Sequence, residues 1–237
     1  MILDGVIAKF QLKIKDRKSA GNILGEALKD VVKKEDRKDT LVFGIPRGGI
    51  IIADIIARKL SCGFDLLISK RLRAPHNEEL AIGAVMEDGT TYLNELVIRE
   101  LKISSEYIKS EILNQLEETK RLARIYRHRN KFFLEDNDIA WKNKTIIIVD
   151  DGAATGSTIT VAIRSIRKTK NPKRLIIAIP VSPKGTIKLL KNEGIDHIEV
   201  ITSPQNRNFK SIEQYYQNFD QVTDNQVFDI IKGSLKI

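Results

Sequence analysis

Residues 149–158 read Val149-Asp150-Asp151-Gly152-Ala153-Ala154-Thr155-Gly156-Ser157-Thr158. Two carboxylates come first, then small residues, then hydroxyls. The small residues let backbone approach a ligand closely. A helix beginning near Thr158 would present unpaired N–H groups and the positive end of its dipole. Those amides, from Gly152, Ala153, Ala154 and Gly156 onward, and the hydroxyls of Thr155, Ser157 and Thr158 can converge on one phosphate as an anion nest. Asp150 and Asp151 would repel a phosphate at contact distance. An ionised carboxylate only accepts hydrogen bonds, so the pair suits hydroxyl donors. Carboxylates of this kind can also hold Mg²⁺ through oxygen. Vicinal hydroxyls beside a phosphate describe a ribose 5-phosphate. Competing motifs fail: Ser157 stands where a Walker A loop needs lysine, and GxGxxG is absent at this point. A purely structural turn is disfavoured, because two adjacent aspartates at a buried strand end are costly without a partner.

Such a loop needs a strand before it and a helix after it. Five short apolar runs supply strands: Leu41–Ile45, Phe64–Ser69, Thr145–Val149, Leu175–Pro180 and Ile198–Ile201. Most lack alternation, as parallel strands buried on both faces do. Helical patterns lie between them, over Gly49–Leu60, Thr158–Lys168 and Pro183–Asn192. This alternation predicts an α/β fold with a doubly wound, mostly parallel sheet of about five strands. Ligands in such sheets sit outside the carboxyl ends of the strands. Residues 70–144 break the alternation. Asp88-Gly89 between two extended runs predicts a hairpin. Ser104 or Ser105 could cap a long helix whose Ile108, Ile112, Leu116, Leu122 and Tyr126 share a face. Its end, Arg121–Lys131, is strongly basic, as a solvated helix terminus often is.

A second loop at a carboxyl edge is Pro46-Arg47-Gly48-Gly49. Its glycines free backbone N–H groups, and Arg47 can pair bidentately with a phosphate. A tight turn with an exposed arginine is the alternative. Lys70, Arg71 and Arg73 follow the second run.

Forty basic residues against 31 acidic give a net charge of +9, which suits an anionic partner, either a phosphorylated small molecule or a nucleic acid. Cys62 is the one cysteine, so no intrachain disulfide forms. The three histidines are scattered without zinc-type spacing. No apolar run is long enough to span a bilayer, and the first ten residues make a poor signal peptide. A cytoplasmic location and no membrane partner are expected.

Residues 146–158 resemble the motif that binds 5-phosphoribosyl-1-pyrophosphate (PRPP) in type I phosphoribosyltransferases. Further similarity to a group of phosphoribosyltransferases of unassigned substrate runs through Arg17–Leu28, Gly44–Leu60, Lys70–Leu93, Thr145–Arg167 and Tyr215–Val222. The resemblance implies a Mg²⁺-dependent pentosyl transfer from PRPP to a nitrogenous base, with pyrophosphate released. It assigns Asp150 and Asp151 to the ribose and Mg²⁺, and residues 152–158 to the 5-phosphate. Arg47, Gly48, Gly49, Lys70, Arg71 and Arg73 are assigned to the pyrophosphate. It implies one domain over 1–237, with 70–93 as a flexible hairpin lid, 94–144 as a helical insertion and 203–237 as a C-terminal segment able to form a hood. His76, Glu78 and Glu79 become candidate proton-transfer groups. Tyr215 and Tyr216 become candidates to stack on the base, as do Phe219 and Trp141, although all could equally be core aromatics. The 6-oxopurine enzymes carry an aspartate where this chain has Ala154, which weighs against hypoxanthine or guanine. A homodimer is implied, with the amphipathic helix near Ile108–Tyr126 as a surface for it. The rival reading is a PRPP-sensing regulator that binds nucleic acid through its positive charge.

Overall fold

The computed structural model describes residues 13–128, 141, 143–169 and 171–234, with the side chains of 78, 79, 127, 128, 169 and 234 set aside. Its centre is a five-stranded parallel sheet of β1 (Thr40–Gly44), β2 (Gly63–Leu66), β6 (Thr145–Val149), β7 (Arg174–Val181) and β8 (His197–Thr202), in the order β2-β1-β6-β7-β8. All five apolar runs became strands of this sheet. Alternate side chains explain why the runs read as continuously apolar. Phe43, Ile146, Ile148 and Ile177 enter one core, and Val42, Ile147, Val149 and Ile176 enter another on the opposite face.

Helices cover both faces. On one side, α1 (Arg17–Val31) and α2 (Gly48–Leu60) pack through Ala20, Leu24, Leu28, Ile52, Ile56 and Leu60. On the other, α5 (Ser157–Thr169) inserts Ile159, Ile163 and Ile166. Fully burying each of those isoleucines contributes about 1.5–3 kcal/mol. Helix α6 (Lys184–Asn192) adds Leu190 to the same layer. Cys62, after α2, is partly buried, and desolvation pushes its thiol up to about 12, which disfavours the thiolate.

A second, antiparallel sheet holds β3 (Ser69–Ala74), β4 (Asn77–Met86) and β5 (Thr91–Leu93). The expected hairpin is β4–β5, turning at Gly89 with φ +84°. The sequence reading had no strand at 69–74, because four of its six residues are polar or cationic. Only Leu72 and Ala74 face inward as apolar anchors. Ala84, Met86 and Tyr92 join the α5 layer, while Leu72, Ile82 and Val85 meet α3 (Glu95–Glu100) and α4 (Ser105–His128).

Ser104 caps α4, its Oγ accepting from the Tyr107 N–H at 3.2 Å. The apolar face of α4 is used inside the chain. Ile108, Ile112 and Leu116 pack on the small sheet. Leu122, Ala123 and Tyr126 pack with Ile50, Ile68 and the C-terminal helix α7 (Asp224–Ser234). That face is therefore not the dimer surface the sequence suggested. Most of the basic stretch beyond Arg127 lies outside the described residues. Among the described residues no helix is long and apolar enough to cross a membrane.

Candidate active site

Renumbered by sheet position alone, the five parallel strands run 2-1-3-4-5, so β1 and β6 lie side by side where the winding reverses. A crevice opens at that point because the two following loops leave toward opposite faces. The loops in question are Ile45–Arg47 and Asp150–Gly156. They also hold each other tightly. A Cβ on Gly48 would lie 1.8 Å from Asp151 Oδ2, and one on Gly49 would lie 2.6 Å from the Val149 carbonyl oxygen. Sequence reading gave these glycines to phosphate contact; the packing shows that they also let two loops touch. Gly48→Ala is therefore expected to cost about 1–3 kcal/mol through overpacking, read from urea unfolding. A variant as stable as the parent would mean that the loops are not in contact.

Gly156 has φ +76°, a conformation that side chains other than glycine's rarely take, and it opens α5: the Thr160 N–H donates to its carbonyl at 2.8 Å. The loop is anchored from outside. The Ala153 N–H donates to the Val181 carbonyl at 2.9 Å, and the Ser182 hydroxyl donates to the Ala153 carbonyl at 3.0 Å. The Thr186 hydroxyl donates to the Ala154 carbonyl at 2.6 Å. Among the described residues, no backbone acceptor takes the N–H groups of Ala154, Thr155 or Gly156. The Thr155 and Ser157 hydroxyls lie 3.0 Å apart beside them. This is a donor cluster at a helix N-terminus, the geometry that binds phosphate.

The carboxylates sit at the loop's start. The Asp151 N–H donates to Asp150 Oδ1 at 2.8 Å, and Thr158 Oγ1 reaches Asp150 Oδ2 at 3.4 Å. Burial and the neighbouring Asp151 push Asp150 well above the ordinary carboxylate range. Burial also raises Asp151, opposed by Arg17. Arg17 Nε and Nη2 both lie 2.8 Å from Asp151 Oδ2. Arg17 is the first residue of α1, which is fixed by its N-cap: Asp16 Oδ1 accepts from the Ser19 N–H at 2.7 Å. The guanidinium also stacks 3.8 Å from the Phe219 ring centroid and donates to the Asp220 carbonyl at 2.8 Å. Sequence reading missed Arg17 as a site residue. Its only sequence signal is that it opens the segment Arg17–Leu28 already noted for its resemblance.

A cleft of about 710 Å³ runs from this loop across to the small sheet. The structure brings Arg47, Gly48, Lys70, Arg71, Arg73 and all of residues 150–158 onto its walls. Gly49 lies behind, against Val149. Helix α4 contributes Glu118 and Arg121, and α7 contributes Asp224. The sequence points to the C-terminal segment as a hood, but singles out none of these three residues for the site. Lys70 Nζ lies 3.9 Å from Glu118 Oε1 and Arg47 Nη1 lies 3.9 Å from Asp224 Oδ1. Burial lowers the Lys70 pKa; Glu118 opposes that, and nearby Arg73, Arg47 and Arg121 reinforce it. One end of the cleft is thus rich in cations, and the other carries the acidic pair and the donor loop.

Other candidates fall elsewhere. Tyr215 and Tyr216 are buried in the α1 layer. The Tyr216 hydroxyl donates to the Asp151 carbonyl at 2.9 Å, and Tyr215 stacks on Phe209. Tyr216 thereby supports the loop, and neither tyrosine lines the cleft; Phe219 and Ile212 do. Trp141 is buried, stacked on Phe43 at 4.3 Å. His76 is exposed at the β3–β4 turn, away from the cleft walls. Glu78 and Glu79 lie on β4, but their side chains fall outside the described residues.

A family model for the phosphoribosyl transferase domain matches residues 11–217. Proteins of two Mycobacterium tuberculosis strains, carried under a phosphoribosyl transferase name, are 29% identical over 212 residues, 90% of this chain. The chain spans 45% of their length. The crystal structure of TT1426 from Thermus thermophilus superposes with a TM-score of 0.71 at 30% identity, covering 92% of this chain and 97% of that one. The matched residues contain both cleft loops and the acidic pair. The chain belongs to the phosphoribosyl transferase domain family.

Proposed function

We propose that the protein transfers the 5-phosphoribosyl group of PRPP to a nitrogenous base and releases pyrophosphate. The observation that carries this reading is the division of the cleft. Residues 154–158 offer amide and hydroxyl donors to a 5-phosphate, Asp150 and Asp151 offer acceptors to ribose hydroxyls, and Arg47 with Lys70–Arg73 offers cations beyond them. The bond from ribose C1 to the pyrophosphate oxygen breaks, a C1–N bond forms, and the base nitrogen gives up a proton. Negative charge grows on the departing pyrophosphate. Cations already in place at Arg47, Lys70 and Arg73 stabilise that charge without reorganisation.

Among the described residues no group of three or more potential metal ligands comes together. Mg²⁺ fits the site nonetheless, because it is commonly held by one or two carboxylates plus substrate phosphates rather than by a protein cage. Asp150 is the better ligand of the two, since Arg17 already engages Asp151. When bound, the ion would neutralise pyrophosphate charge. Ala154 brings no carboxylate to the loop, which weighs against a 6-oxopurine acceptor. The lid role of residues 70–93 belongs to this proposal; of that span Lys70, Arg71, Arg73, Leu80 and Ala81 line the cleft, and the turn at His76 does not.

Isothermal calorimetry with PRPP and Mg²⁺ tests the donor half. Binding is expected, and its absence would overturn the reading. A panel of bases assayed for pyrophosphate release then identifies the acceptor.

A further inference from the structure

Ser69 opens β3 and faces Met86 across the small sheet. It is 8% exposed, and among the described residues its hydroxyl oxygen has no hydrogen-bond partner. A buried hydroxyl left unsatisfied costs about 1–3 kcal/mol, and alanine would remove that cost here. Such a group calls for an explanation. Its position supplies one. The Leu67 N–H donates to the Gly44 carbonyl at 3.1 Å, so the chain after β2 continues beside the end of β1. That course carries Ser69 forward along the Pro46–Arg47 turn, and Lys70 follows directly. Both Ser69 and its neighbour Ile68 line the cleft, with Arg47, Gly48 and Lys70. A serine has three staggered χ1 positions, so the Oγ has two alternatives to its present buried one.

We propose that the Ser69 hydroxyl is a binding residue for the pyrophosphate group, donating to a phosphate oxygen between Arg47 and Lys70. This inference rests on the PRPP reading above. It adds a neutral donor of fixed reach to a subsite otherwise built from long, flexible cations. A serine is a good choice there. It is short, loses little rotamer freedom on binding, and adds no charge to a cluster in which burial already lowers the Lys70 pKa.

The test is calorimetry on the full chain and on Ser69→Ala with three ligands, each with Mg²⁺: PRPP, inorganic pyrophosphate and ribose 5-phosphate. Ser69→Ala should weaken PRPP and pyrophosphate by about tenfold, the value of one hydrogen bond to a charged acceptor. Ribose 5-phosphate should bind as before, and Tm should hold or rise. Ser69→Cys, nearly isosteric with a weaker donor, should fall between the two. Equal affinity of parent and Ser69→Ala for pyrophosphate would overturn the inference while leaving the PRPP reading intact. A parent chain that binds neither PRPP nor pyrophosphate would overturn both. Parallel loss for all three ligands with a lowered Tm would make Ser69 a structural residue and overturn the inference alone.

Discussion

Replacing Asp150 by asparagine is expected to lower kcat/KM for PRPP by about a hundredfold and to raise Tm at neutral pH. The activity loss follows from the chemistry of the acceptor. A carboxylate that accepts from ribose hydroxyls makes charge-assisted bonds of about 1.5–3 kcal/mol, and about 1.36 kcal/mol is a factor of ten. The stability gain follows from burial. Asp150 is pushed above its ordinary range by desolvation and by Asp151 beside it, so the folded chain holds that proton more tightly than the unfolded chain does. Stability associated with this group is present below the unfolded value of 3.8 and is lost as pH rises toward the raised folded value. At pH 7 the buried acidic pair is therefore a burden that asparagine lifts. The substituted side chain would still accept the Asp151 N–H through its amide oxygen, so the loop would keep its shape. Each kcal/mol relieved raises Tm by about 2–4 °C in a chain of this size. Steady-state pyrophosphate release and calorimetric melting at pH 7 and pH 4 measure both halves. The Tm advantage should shrink at pH 4, and a Tm that drops at pH 7 would contradict the account.

Arg17→Met should do the opposite. It removes the guanidinium from a largely buried ion pair, whose side chains are 10% and 17% exposed, and leaves Asp151 without its cation. Breaking such a pair costs about 3–5 kcal/mol. The stacking on Phe219 and the bond to the Asp220 carbonyl go with it. Without Arg17 the Asp151 carboxyl moves further above its unfolded value, so the penalty should grow as pH rises and fade as the group protonates. Urea unfolding at pH 5 and pH 8 reads this directly. A loss below about 1 kcal/mol at pH 8 would place the pair among surface ion pairs of little consequence.

The two carboxylates also show where sequence reading succeeds and where it stops. The loop at 149–158 was legible because its chemistry is local: acceptors, a turn and donors lie within ten consecutive residues. The parallel strands were legible because burial on both faces leaves an unbroken apolar run. Strand β3 was not, since Lys70, Arg71 and Arg73 break the apolar run and leave Leu72 and Ala74 as the main apolar anchors. Arg17 lies 134 residues from Asp151, and no local pattern announces that pairing. The same holds for Glu118, Arg121 and Asp224, which reach the cleft only because α4 and α7 cross near α2 and the small sheet. Tyr215 and Tyr216 mislead for a related reason. Paired aromatics suit a ligand platform as well as a core, and only their burial in the α1 layer, with the Tyr216 hydroxyl turned to the Asp151 carbonyl, distinguishes the two.

The stitching around Arg17 bears on synthesis as well as on chemistry. The Ile14 N–H donates to the Tyr215 carbonyl, Gln217 returns the bond to Ile14, and Asn218 reaches Lys15. Arg17 itself leans on Phe219 and Asp220. A ribosome delivers every strand of the central sheet before it delivers residues 215–220. A growing chain can thus assemble its framework while the acidic pair still lacks its final surroundings. On the proposed function, competence for the sugar phosphate would arrive late, when a short stretch near residue 216 pairs with the start of the first helix. Until then, a partly made chain would hold the loop without the clasp that keeps its carboxylates in place.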